Sequence, residues 1–127
     1  DRSKLIVGGN YTVLNGNTAL GLGAVNPATG ATASWNAAST VKNAGLAAAI
    51  TSLVASNDSI YGTGYVSGTD PGLPKGNLEG SFSASADTGD IRWVSSCHGD
   101  SYSVFPVNGA SYSVGHPHDC RVYDGAN

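Results

Sequence analysis

The chain has 127 residues, of which only 12 % are charged, and a net charge of −3. Six Lys and Arg cannot build the basic surface that phosphate-driven nucleic-acid binding requires, and 18 Gly with five Pro argue against a helix bundle or a coiled coil. Leu, Ile, Val and Phe together number 25, close to the lower limit for a domain that closes a core by itself.

The start, Asp1-Arg2-Ser3-Lys4, lacks an initiator Met and a signal-peptide-like apolar stretch, and it reads as a cut into a longer sequence. Lys4 to Gly9 then reads as a strand ending in Gly8-Gly9. Leu20-Gly21-Leu22-Gly23-Ala24-Val25 reads as a short strand. It leads into a turn closed by Thr29-Gly30 and a second strand ending at Trp35. Residues 41–49 are Ala-rich and read either as a turn or two of helix or as a loop excursion. Their apolar window is far shorter than a membrane span, and no membrane insertion is expected. Ser52 to Tyr61 reads as a hairpin turning at Asn57-Asp58, whose residues tolerate positive φ. The Pro/Gly-rich stretch Thr69 to Gly76 reads as an exposed loop. Leu78 to Gly89 repeats the strand and the Thr-Gly turn, with Trp93 following four residues later. Ser103 to Tyr112 reads as a second hairpin, turning at Asn108-Gly109.

These elements recur. The two hairpins align without gaps at an offset of 51, and Gly9, Gly64 and Gly115 recur at spacings of 55 and 51. Each unit of roughly 50 residues holds four short strands, the period and content of a β-propeller blade. The expected fold is therefore all-β: antiparallel four-stranded blades in units of roughly 1–49, 50–100 and 101–127. A β-sandwich with chance internal similarity is the alternative. Two and a half blades leave terminal faces uncovered, so further blades or other subunits are the expected partners. Trp35 and Trp93, at similar places in successive units, are expected to be structural core residues rather than sugar-stacking ones.

Lys4-Leu5-Ile6-Val7-Gly8-Gly9-Asn10-Tyr11-Thr12 resembles the recurring strand and Gly-Gly loop of propeller repeats in actinobacterial secreted proteins. Val25-Asn26-Pro27-Ala28-Thr29-Gly30, followed by Trp35, resembles the second half of those repeats. Cys97-His98-Gly99-Asp100 and His116-Pro117-His118-Asp119-Cys120 resemble a Cys- and His-bearing blade of the same group. That blade also occurs in minor tail proteins of actinobacteriophages. The resemblance implies a virion or extracellular location and a binding or structural role in host-surface contact. A secreted, wall-associated scaffold and an accessory propeller of a hydrolase are the alternatives.

A hairpin turning at Asn108-Gly109 pairs residues whose numbers add to 217, and Cys97 and Cys120 do so. A disulfide is expected there, with a bulge near Gly99 or Pro117 to bring the Cβ atoms together. The alternative is a zinc site drawn from Cys97, His98, His116, His118 and Cys120, although strand alternation sends adjacent Cys and His to opposite faces. His98, Asp100, His116, His118 and Asp119 form a candidate polar cluster. No Gly-x-Ser-x-Gly elbow or His-Glu-x-x-His motif stands in the chain, so no catalytic residue, metal or cofactor is assigned.

Overall fold

In the computed structural model, residues 3–120 are described. They form an all-β structure of antiparallel sheets with one short helix. The first sheet joins β1 (Leu5–Gly8), β4 (Leu22–Val25) and β5 (Thr32–Ala33) in the order β1-β4-β5. A small hairpin of β2 (Val13–Leu14) and β3 (Asn17–Thr18) interrupts the connection from β1 to β4. Helix α1 (Ala37–Thr40) follows β5. The second sheet is a four-stranded meander of β6 (Ala48–Ser56), β7 (Ser59–Val66), β8 (Gly80–Ser85) and β9 (Ile91–Ser96). A hairpin of β10 (Ser101–Val107) and β11 (Ala110–Gly115) completes the described chain.

Two-residue turns fix the hairpins. Asn108 and Gly109 both take positive φ, 51° and 78°, as a type I′ turn demands. Asn15 and Gly16 do the same at the β2–β3 tip, with φ of 50° and 75°. At the β6–β7 tip Asn57 takes φ of 53°, and Asp58 is not among the described positive-φ residues.

The strand-turn-strand element repeats bond for bond. Asn26 N–H donates to Ala31 O and Gly30 N–H to Asn26 O, at 2.7 and 2.8 Å. Ser85 N–H donates to Asp90 O and Gly89 N–H to Ser85 O, both at 2.9 Å. The Thr29 and Thr88 hydroxyls each accept the N–H two residues on, at 3.2 Å. Both turn glycines take positive φ, 73° and 80°, which only glycine adopts freely.

The core lies between the first two sheets. Leu22, Trp35, Val41, Ile50, Leu78 and Phe82 are buried there with Ala24, Ala37 and Ala84. Small residues set the spacing. A Cβ at Gly8 would stand 2.7 Å from Ile50 Cγ2, and one at Gly62 would run into the Phe82 ring. Ala24, Ala37 and Ala84 are the small residues that stand within this core.

Three sequence expectations need correction or refinement. Of the two readings of residues 41–49, the loop holds for 41–47 and the helix does not: the helix lies earlier, at Ala37–Thr40, and Ala48 and Ala49 already belong to β6. Asn43 explains why. Its buried side chain donates to the carbonyls of Ala49, Tyr65 and Leu78 and accepts from the N–H groups of Asn77 and Leu78. Those bonds hold the segment between α1 and β6 extended. Trp35 is 4 % exposed, whereas Trp93 is only half-buried, in the middle of β9 opposite Ser83 and beside Tyr61. The two indoles are not at equivalent places: Trp35 lies two residues beyond the end of β5, whereas Trp93 lies within β9, next to the bulge that the register shift between Ser83 and Ala84 makes. In the last hairpin, pairs from Val107↔Ala110 to Ser103↔Val114 follow the expected register, but the bulge falls between Ser101 and Ser103 rather than at Gly99 or Pro117.

Candidate functional site

The residues singled out in the sequence gather at the open end of the β10–β11 hairpin. Cys97 and Cys120 form a disulfide, with Cα atoms 4.2 Å apart. The ladder ends at Ser101↔Gly115, so the bond lies beyond it and closes the loop that follows β11. Cys97 O accepts the N–H groups of His118 and Asp119 at 3.1 and 2.8 Å, and Cys97 N–H donates to Glu79 O at 3.0 Å. The loop is thus tied by backbone bonds to Cys97, and Cys97 to Glu79, the residue just before β8. Gly99 is buried against this loop, where a Cβ would collide with the carbonyl of His116.

The polar cluster is only partly assembled. His116 and His118 meet edge to face, with ring centroids 4.7 Å apart. Both are exposed, and His116 N–H donates to Asp100 O at 2.6 Å. The Asp100 carboxylate instead accepts the Tyr102 hydroxyl at 3.1 Å. That bond holds the Tyr102 phenol above its ordinary value. His98 is exposed and takes φ of 48° in the turn entering β10. Both cysteine sulfurs are committed to the disulfide, and among the described residues no three His, Cys, Asp or Glu are placed to hold a metal ion.

Beside this loop the hairpin presents an apolar face. Val104 is buried, while its neighbours Phe105 and Val107 are 63 % and 42 % exposed. Phe105 pairs with Tyr112, 62 % exposed, and Val114 is 69 % exposed. No charged residue stands on β10 or β11. Spacing alone does not single out this face, although Phe105-x-Val107 and Tyr112-x-Val114 alternate as a strand face must.

Two further features carry no local sequence signal as strong as their role. Asn43 is fully buried, and an isolated Asn in an Ala-rich stretch does not announce that. Arg92 donates to both carboxylate oxygens of Asp58, at 3.1 and 2.8 Å, across the end of the second sheet. Asn15-Gly16 does carry a signal, the Asn-Gly pair itself.

Comparison with known protein families, with curated proteins and with solved structures gave no match for this chain.

Proposed function

We propose that this chain is a segment of a β-propeller that binds or supports rather than catalyses, in a phage minor tail protein that contacts an actinobacterial surface. The observation that carries this reading is the repeat. The second sheet is a complete four-stranded antiparallel meander, and its strand-turn-strand element recurs, bond for bond, in the first sheet. The third unit begins with the same kind of hairpin. Unit 2 docks its Thr-Gly turn on unit 1: Asn36 N–H donates to Thr88 O at 2.9 Å. Successive units that pack in this way lead to a propeller when enough of them follow one another.

An extracellular or virion setting fits the Cys97–Cys120 disulfide, which persists in oxidising surroundings. No helix of the described residues is long and apolar enough to cross a membrane. The binding role is supported by the exposed, uncharged face of β10–β11 and the disulfide-tied His loop beside it. Co-sedimentation of the purified chain with isolated actinobacterial cell walls tests the role. Saturable retention, lost in Phe105→Ser with Tyr112→Ser, is the expected result. Retention no greater than that of an unrelated protein of similar size and charge, or release of soluble fragments from the walls, contradicts it.

A further inference from the structure

His116 and His118 stand two residues apart just beyond β11, with their ring centroids 4.7 Å from each other. That separation has a chemical meaning. Two imidazoles bound at about 2.0–2.1 Å to neighbouring positions of one metal ion hold their ring centres about 4.5–5 Å apart. Both residues are exposed, and the terminal torsion of a histidine is broad. Each ring can therefore turn a nitrogen toward a shared ion while the loop stays in place.

The loop holds the pair at that spacing. His116 N–H donates to Asp100 O at 2.6 Å, and His118 N–H donates to Cys97 O at 3.1 Å. Pro117, between them, has a fixed φ and no N–H. The Cys97–Cys120 disulfide closes the loop two residues after His118. Two of the three amide nitrogens here are thus engaged and the third carries no hydrogen, which leaves the imidazoles as the metal-binding nitrogens of this segment.

The donor set narrows the choice of ion. Both sulfurs are in the disulfide, and the Asp100 carboxylate accepts the Tyr102 hydroxyl. Among the described residues no group of three His, Cys, Asp or Glu converges. Zinc sites take three or four protein ligands, and calcium or magnesium takes oxygen donors. Copper(II) suits imidazole, accepts tetragonal coordination by nitrogen and oxygen, and binds a given site more tightly than the other divalent first-row ions.

We propose that His116 and His118 form a two-imidazole chelate site for copper(II), built by the disulfide-closed loop, with water completing the coordination. The site lies wholly within residues 97–120 and is independent of the propeller and cell-surface readings.

The test titrates copper(II) chloride into the whole chain, with its disulfide intact, its N-terminus acetylated and no histidine tag. Calorimetry against glycine as a competing chelator is expected to show one copper(II) per chain, and pulsed electron paramagnetic resonance two coordinated imidazoles. His116→Ala and His118→Ala should each weaken binding at least about tenfold, the loss of one arm of a chelate. His98→Ala should leave it unchanged. Cys97→Ser with Cys120→Ser should weaken it at least about threefold, because the ion must then order the loop itself. Nickel(II) and zinc(II) should bind more weakly than copper(II). The proposal is overturned if the chain binds no more tightly than a variant lacking both His116 and His118, or if one imidazole alone is coordinated. A loss in His98→Ala as large as in His116→Ala also overturns it. So does binding undiminished by the two serines, which would show that the loop does not build the site.

Discussion

Trp35 donates its indole N–H to the carbonyl of Ser85, 50 residues along the chain, at 3.0 Å. The bond joins the end of one unit to the Thr-Gly turn of the next. Asn36 continues the seam, donating its side-chain amide to Asp90 at 2.7 Å. Gly89 lies so close to this seam that a Cβ there would strike the backbone nitrogen of Asn36. The turn is thus shaped by its own backbone bonds and fitted to its neighbour by the absence of a side chain.

Trp35→Ala removes a buried ring and is expected to lower stability by about 3–5 kcal/mol in urea unfolding. Trp35→Phe keeps most of the apolar area and removes one of the two donors to Ser85 O, which retains the Gly89 N–H, and a smaller loss of about 0.5–1.5 kcal/mol is expected. A loss in Trp35→Ala below that of Trp35→Phe would contradict the packing role.

Asn43→Ala leaves the carbonyls of Ala49, Tyr65 and Leu78 without their side-chain donor. It also leaves the buried Leu78 N–H without its acceptor, and with a buried orphan costing about 1–3 kcal/mol, a loss of at least about 2 kcal/mol is expected in the same assay. Asn43→Asp should be worse at pH 7 than at pH 4, because it buries a charge that acid removes.

Opening the disulfide acts locally. The two cysteines are 23 residues apart, and chain-entropy estimates for such a loop give about 3 kcal/mol. Cys97→Ser with Cys120→Ser is expected to speed amide exchange in β10 and β11 far more than in β8. Equal acceleration throughout the second sheet would show that the hairpin and the sheet unfold as one unit.

The pH dependence has a fixed sign. The bond from Arg92 holds the Asp58 carboxyl below its usual value, and the Asn36 amide does the same for Asp90. A carboxylate with a lowered folded-state pKa contributes stability above its unfolded value, near 4, that is lost as pH falls through the folded value. Thermal scans should therefore show stability falling below about pH 4, and the fall should be shallower in Asp58→Asn. Both carboxylates are exposed, so the effect is small.

Much of the architecture was legible because its signals are local. Asn108-Gly109 sets both a turn and a register, and the register carries as far as Ser103↔Val114. The Thr-Gly turns are legible for the same reason. What escaped the sequence depends on distant partners. The carbonyls that Asn43 satisfies come from three separate stretches of chain, and Trp35 is buried past the end of β5, where it bonds to Ser85 of the next unit, while Trp93 sits within β9. The candidate cluster was half legible: spacing paired the cysteines, but the hairpin bulge and the positive φ of His98 decided where the imidazoles stand.

The central claim is that successive units of this chain are blades around one axis. An electron cryomicroscopy structure of the native polypeptide that carries these residues tests it most directly. The expected result is that the sheets formed by residues 5–33, 48–96 and 101–115 are related by one repeated rotation about a common axis, with β11 paired to a further strand on its free edge. Unequal rotations, or the first two sheets closing as the two layers of a sandwich, would contradict it.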